Sequence, residues 1–155
     1  MTDLRRLNGT VAKTYRLGSG MKVANALLKT LVQLGVPSGS MAVVTAPGRR
    51  SGQPRSTPVN LLIEEGRRYL VAPYGVVGWV QNVRAAGGRA RLNHRGRAEN
   101  VRLRELPPAD AAPLLKQYVA KNKITVPYFD AKPDDPVERF EAEAARHPVF
   151  EILPG

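Results

Sequence analysis

The sequence predicts an α+β fold built around a small antiparallel β-barrel of about six strands with flanking helices. Two observations carry this. Strand-like runs come in pairs joined by short turns, at 57–64 and 67–73 through Gly66, and at 89–94 and 97–105 through Arg95-Gly96. Helical patterns interrupt these pairs instead of alternating one for one with strands, which argues against a parallel sheet. At 155 residues with 43% apolar content, the chain can bury a real core. No internal repeat and no long linker divides it. The reading is a basic N-terminal segment at 1–36, followed by one barrel domain at 37–155.

Residues 1–19 are basic and weakly patterned, and Gly18-Ser19-Gly20 breaks the chain. Ala24, Leu27, Leu28, Leu31 and Leu34 then follow the spacing of an amphipathic helix over 21–34, ended by Gly35-Val36-Pro37. Two readings of that helix stay open: packing on the core, or lying on an anionic membrane surface. A first strand is expected at 41–45. A turn follows, and then the strands at 57–64 and 67–73. A short helix at 76–86 is stopped by Gly87-Gly88. In the strand at 97–105, Val101 and Leu103 alternate with Arg102 and Arg104, as a strand wet on one face should. Pro107-Pro108 opens a helix at 109–120 with Leu114, Leu115, Tyr118 and Val119 on its apolar face. Residues 122–135 read as an irregular loop, 136–146 as a last helix and 149–153 as the sixth strand.

Composition excludes several chemistries. There is no cysteine, so disulfides, thiolate metal sites and cysteine nucleophiles are ruled out. His94 and His147 are far apart and lie in no ligand-spaced cluster, so no zinc site is expected. No serine sits in a G-x-S-x-G elbow. The formal net charge of +11 calls for an anionic partner. Residues 1–34 hold six basic side chains and one acidic, as do residues 89–104, whereas 130–151 hold three basic and seven acidic. No apolar run approaches the roughly 18 residues of a membrane span. No signal-peptide pattern is present either. A cytoplasmic location is expected, with a peripheral position at the inner face of the membrane left open through 1–34.

The turn between the first two strands carries the most chemistry. It runs Gly48-Arg49-Arg50-Ser51-Gly52-Gln53-Pro54-Arg55, three arginines in seven positions with no acidic residue between them. Such a turn can offer forked guanidinium donors and backbone N–H groups to one anion, or it can be a solvated hairpin loop. Trp79 and Asn82 share a face of the short helix. They suit a wall against a flat ring with an amide at its edge, or equally a core tryptophan with a capping asparagine. Arg84 can reach an acidic group or water. What survives is a site of arginines, glycines, one tryptophan and some tyrosines, without strong acid–base groups. Such a site binds a cofactor that does its own chemistry.

These residues carry a resemblance. The turn and its continuation Ser56-Thr57-Pro58-Val59-Asn60, with Trp79-Val80-Gln81-Asn82-Val83-Arg84-Ala85, resemble the deazaflavin (F420)-dependent nitroreductase family of actinobacteria. Its pattern is a G-R-[KR]-S-G-x-x-R turn and a later W-x-x-N-L-[RK]-A helix. Tyr128-Phe129-Asp130 and His147-Pro148-Val149-Phe150 are also similar to one branch. The resemblance covers roughly 41–153. It implies a split β-barrel of the FMN-binding type that uses coenzyme F420, and an enzyme passing a hydride to a quinone, enone or nitro-type acceptor. On this reading Arg49, Arg50 and Arg55 hold the phosphate and acidic tail of F420, with Ser51 and Gly52 as donors. Pro58 and Asn60 line the cofactor, and Pro73, Tyr74 and Gly75 lie near the deazaflavin edge. Trp79 and Asn82 border the ring, and Tyr128 sits over the substrate pocket as the candidate catalytic residue. Many relatives have a longer loop before the tryptophan and W-Y-H-N in place of Trp79-Val80-Gln81-Asn82; here the loop is short and the histidine absent. Split barrels of this kind are often dimers, so a homodimer is compatible. Two other readings compete with it. One is a related barrel using FMN. The other is a non-enzymatic module binding F420, or binding nucleic acid through 89–104. That basic stretch lacks the interleaved aromatics of a nucleic-acid surface, so no nucleic-acid partner is expected.

Overall fold

A computed structural model of the protein describes residues 40–155. The expected basic segment at 1–36 and its amphipathic helix lie outside the described residues. The elements are β1 (Met41–Pro47), β2 (Pro54–Glu64), β3 (Arg67–Val71), α1 (Gly78–Ala85), β4 (Arg89–His94), β5 (Arg97–Glu105), α2 (Pro108–Lys121), α3 (Val137–Glu143) and β6 (Val149–Pro154). The strands close into a barrel in the order β1-β2-β3-β6-β5-β4, with β4 returning to β1. Every pairing is antiparallel, and closure leaves no bare edge. The α+β barrel fold is as the sequence predicts.

Strand alternation sorts the side chains into two cores. Ala42, Val44, Leu61, Leu70, Leu92, Leu103, Phe150 and Ile152 fill the barrel. The out-of-phase residues Leu62, Tyr69, Val71 and Val149 form a second core outside it, with Leu115, Tyr118 and Val119 of α2 and Phe140 of α3. The short helix α1 lies against the barrel, with Val80 and Val83 in its core and Trp79 packed against it. The β2–β3 and β4–β5 turns are Glu65-Gly66 and Arg95-Gly96, with all four residues at positive φ. That twist matches the twist of the strands it joins.

Several boundaries move relative to the sequence reading. β1 extends to Pro47 and β2 begins at Pro54, because pairing continues through Thr45↔Ser56 and Ala46↔Arg55 to Pro47↔Pro54. Arg55 therefore sits on a strand and the turn proper is only 48–53. The helix expected from 76 starts at Gly78, and β3 stops at Val71. The loop expected at 122–135 contains a 3₁₀ helix, Lys123–Tyr128. The last helix breaks into α3 and a 3₁₀ turn, Ala144–Arg146.

Candidate functional site

The arginine turn is internally tied. Gly48 N–H donates to the Gln53 carbonyl and Gly52 N–H to the Gly48 carbonyl, both at 2.8 Å. Gln53 N–H donates to Ser51 Oγ at 3.2 Å. A Cβ on Gly48 would stand 3.0 Å from Ser51 Oγ and 3.2 Å from the Gln53 oxygen, so the turn closes tightly over this position. The N–H groups of Arg50 and Ser51 have no acceptor among the described residues. Neither Arg50 nor Arg55 has a carboxylate within ion-pair distance there.

The turn is bolted to α1. Asn82 is buried, and its Oδ1 accepts both the Arg49 backbone N–H at 3.1 Å and Arg49 Nη1 at 3.0 Å. The two segments that carry the sequence resemblance thus meet through one side chain. Trp79 is half-buried beside them, 5.6 Å from Phe150 between ring centroids. It packs on the barrel core and is only partly buried. Arg84 pairs with Glu105 through two 2.8 Å hydrogen bonds. Glu105 holds the Arg84 guanidinium above its usual range, against a smaller opposing effect of burial.

Pro58 and Asn60 lie on β2, out of phase with the inward Val59 and Leu61. Asn60 Oδ1 accepts from Ser40 Oγ at 3.3 Å, and Asn60 Nδ2 lies 3.5 Å from the Tyr118 hydroxyl. Burial pushes the Tyr118 phenol up to about 12, with Asn60 opposing and Tyr74 adding to the shift. Tyr118 is therefore a neutral hydroxyl over the working pH range.

Pro73, Tyr74 and Gly75 form the connection leaving β3. Tyr74 meets Tyr128 edge to face, with ring centroids 4.8 Å apart at 78°. The structure so brings together two residues that lie 54 positions apart in sequence, at the end of β3 and the end of the 3₁₀ helix. Behind them lies a buried pair that the sequence reading did not assign to the site. His147 Nδ1 is 2.8 Å from the Pro73 carbonyl, and His147 Nε2 is 3.0 Å from Glu143 Oε1. Glu143 also accepts the Asp130 N–H at 3.1 Å and the Ala131 N–H at 2.7 Å. Burial pushes the Glu143 carboxyl up, but the hydrogen bonds from His147 and the two amides outweigh it and hold the group below its ordinary range. The i, i+4 spacing of Glu143 and His147 was the available signal.

The described residues contain no group of three or more His, Cys, Asp or Glu that could hold a metal ion. Among them no helix is long and apolar enough to cross a membrane.

A solved protein of Agrobacterium tumefaciens strain C58, of unknown function, is similar at a TM-score of 0.56 and 14% identity, over 93% of this chain and 60% of that one. A structure described as a domain-swapped dimer is similar at 0.53 and 18% identity, over 86% of this chain and 99% of that one. These two support the split-barrel fold alone. A structure described as an F420-H2 dependent reductase, FDR-A, reaches 0.49 at 20% identity, over 73% of this chain and 93% of that one. No curated protein matches the sequence. The model of the F420H(2)-dependent quinone reductase family matches residues 10–132. That match spans the arginine turn, α1 and the Tyr74–Tyr128 pair, and on it the chain belongs to the F420H2-dependent quinone reductase family, oxidoreductases whose reductant is F420H2.

Proposed function

We propose that the turn at 48–53, with Arg55, binds the phosphate and glutamate tail of F420, and that the electron acceptor is a quinone or a chemically related enone or nitro compound. The observation that carries this is the Asn82 clamp. It fixes the arginine turn against α1, while Arg50 and Arg55 keep guanidinium groups without a carboxylate partner among the described residues. The donor set fits an anionic cofactor: two arginines, two backbone N–H groups without acceptors, and a left-handed Gly52 at φ 72 between them and the next strand. Arg49 then serves chiefly to hold the turn, since its backbone and side chain are both engaged by Asn82.

On this reading Pro58, Asn60, Pro73, Tyr74, Gly75, Trp79 and Asn82 border the deazaflavin. When bound, F420H2 supplies a hydride from carbon. The protein's task is alignment and charge stabilisation. Trp79 offers a flat apolar wall held by Phe150. The Tyr74–Tyr128 pair offers a second wall set at right angles to itself. The Tyr128 hydroxyl would donate a hydrogen bond to the acceptor oxygen where negative charge develops, and a proton from solvent completes the hydroquinone. A homodimer is the assembly we favour, on the likeness to a domain-swapped dimer.

The test is titration with F420, with FMN as the control ligand, on the parent, Arg50→Ala and Arg55→Ala proteins. Each variant is expected to weaken F420 binding about tenfold or more, in line with loss of a charge-assisted bond. If both bound as tightly as the parent, the anion-clamp assignment would be wrong. Oxidation of F420H2 by a panel of quinones, enones and nitro compounds then identifies the acceptor. Tyr128→Phe is expected to lower kcat with any of them, and unchanged turnover would remove the tyrosine from the mechanism.

A further inference from the structure

We propose that Glu143 and His147 act as positioning residues that set the Tyr74–Tyr128 ring pair, holding one ring through the Pro73 carbonyl and the other through the 130–131 backbone.

The geometry gives each bond a direction. A carbonyl oxygen only accepts, so His147 Nδ1 carries a proton and donates it to Pro73 at 2.8 Å. The opposite nitrogen faces Glu143 Oε1 at 3.0 Å, so a proton lies between these two groups. The remaining acceptor positions of Glu143 take the Asp130 and Ala131 amides. Both residues are nearly closed to solvent, at 4% exposure for His147 and 3% for Glu143. Neither can touch a substrate, so any influence on the site passes through what they hold.

What they hold is specific. Pro73 immediately precedes Tyr74, and Asp130 lies two residues after Tyr128. Phe129, between Tyr128 and Asp130, stacks on the His147 ring at 3.9 Å and 18°. Arg146 closes the arrangement from the surface. Its guanidinium binds Asp130 Oδ2 at 2.8 Å. Its carbonyl oxygen lies 3.4 Å from where a Cβ on Gly75 would stand. Two chain segments far apart in sequence are therefore referred to one imidazole–carboxylate pair, and the tyrosines they carry meet beyond it. A generic core would fill this space with aliphatic side chains at lower desolvation cost. The polar pair instead fixes direction and register at two backbone points.

The consequence for F420 binding rests on the assignment of Pro73, Tyr74 and Gly75 to the cofactor site, so the test reads ring placement separately. His147→Asn places its amide nitrogen where Nδ1 stood and can keep the Pro73 bond. His147→Gln places its amide nitrogen where Nε2 stood and loses the Pro73 bond. Tyrosine ring NMR signals, assigned with Tyr74→Phe and Tyr128→Phe, report on the pair directly, and F420 affinity and Tm are measured on the same samples. The expected result is that Tyr74 signals move in His147→Gln and are restored in His147→Asn, with F420 affinity falling at least tenfold in the first only. Unmoved rings in His147→Gln, or equal movement in both variants, would overturn the proposal. Movement in His147→Gln alone with F420 affinity unchanged would uphold the positioning and sink the cofactor-site assignment. If His147→Gln fails to fold, the parent still decides: the Nδ1–H proton should be slow to exchange and coupled to the Pro73 carbonyl, and a rapidly exchanging proton would refute the arrangement.

Discussion

Asn82→Ala is the perturbation that most directly probes how this site is built. The substitution deletes one acceptor that serves two donors of the same residue, the Arg49 amide at 3.1 Å and Arg49 Nη1 at 3.0 Å. A neutral bond of this kind contributes about 1 kcal/mol net and one from a charged donor about 1.5 kcal/mol at the low end, which suits the exposed Arg49. The sum, about 2.5 kcal/mol, corresponds to a Tm lower by roughly 5–10 °C for a chain of this size. Arg49→Ala removes only the guanidinium arm and should cost about 1.5 kcal/mol. In the Asn82→Ala background that arm no longer has its acceptor, so adding Arg49→Ala should cost almost nothing. The double-mutant cycle, read by thermal or denaturant unfolding, should give a coupling energy of about 1.5 kcal/mol. Additive effects would refute the clamp. A negligible Tm change in Asn82→Ala would do so as well.

Two further perturbations test other parts of the frame. Gly88→Ala places a Cβ 2.5 Å from the Leu103 carbonyl oxygen at a backbone φ of +85, so a loss of roughly 3 kcal/mol is expected from left-handed strain and overpacking together; a Tm within 2 °C of the parent would contradict the close β5 approach. Glu143 has a folded pKa below its ordinary 4.5, so its contribution to stability is present above that value and is lost as pH falls through the folded pKa. His147 is the titratable side chain bonded to it, and Asp130, which reaches it through its backbone N–H, pairs its own carboxylate with Arg146. The difference in Tm between the parent and Glu143→Gln should accordingly shrink on acidification below about pH 4.5, and a difference that stays constant down to acid unfolding would argue against an ionised, hydrogen-bonded Glu143.

The barrel was legible because its signals are local. Val101 and Leu103 alternate with arginines, and glycine marks both hairpin turns. The boundary errors have a physical source. Pro54 and Arg55 read as turn residues by composition, yet pairing with Ala46 and Pro47 carries the ladder to the turn itself. Proline tolerates this position because it begins the strand. Arg49 and Asn82 each stand out in the sequence, but their contact, across 33 positions, has no sequence signature. Tyr118 read as one more apolar contact of α2, and only the fold shows Asn60 at its hydroxyl. Glu143 lies in a segment of three basic and seven acidic side chains, which by charge alone suggests a solvated face. Charge counting gives no sign that one carboxylate of the seven there turns inward to a histidine four residues on.

The distribution of ion pairs sharpens where an anion can bind. Glu151 takes Arg104 at 2.8 Å and Arg67 at 3.5 Å, Glu99 takes Arg68, Glu105 takes Arg84 and Asp130 takes Arg146. Arg89 and Arg102 stand directly opposite each other on β4 and β5, a pairing that like charges disfavour. Each resolves it by donating to a carbonyl just beyond α1, Arg89 to Ala86 and Arg102 to Gly87, at the end of the helix where the backbone is electronegative. These arginines are thus committed to the frame. At the turn, Arg49 is committed as well, and its commitment holds the loop in place for its neighbours. Arg50 and Arg55 have no such duty among the described residues; Arg91, Arg95, Arg97 and Arg139 are also without an ion pair there, but Arg50 and Arg55 belong to the turn that leaves two backbone N–H groups without acceptors. A net charge of +11 would by itself favour any polyanion, but uncommitted guanidinium groups beside unpaired backbone N–H donors favour a compact one, of the size of a phosphate with a carboxylate tail. Binding that weakens with salt by the slope of one or two contacts, and not by the steep slope of a polyelectrolyte, is the behaviour this arrangement requires.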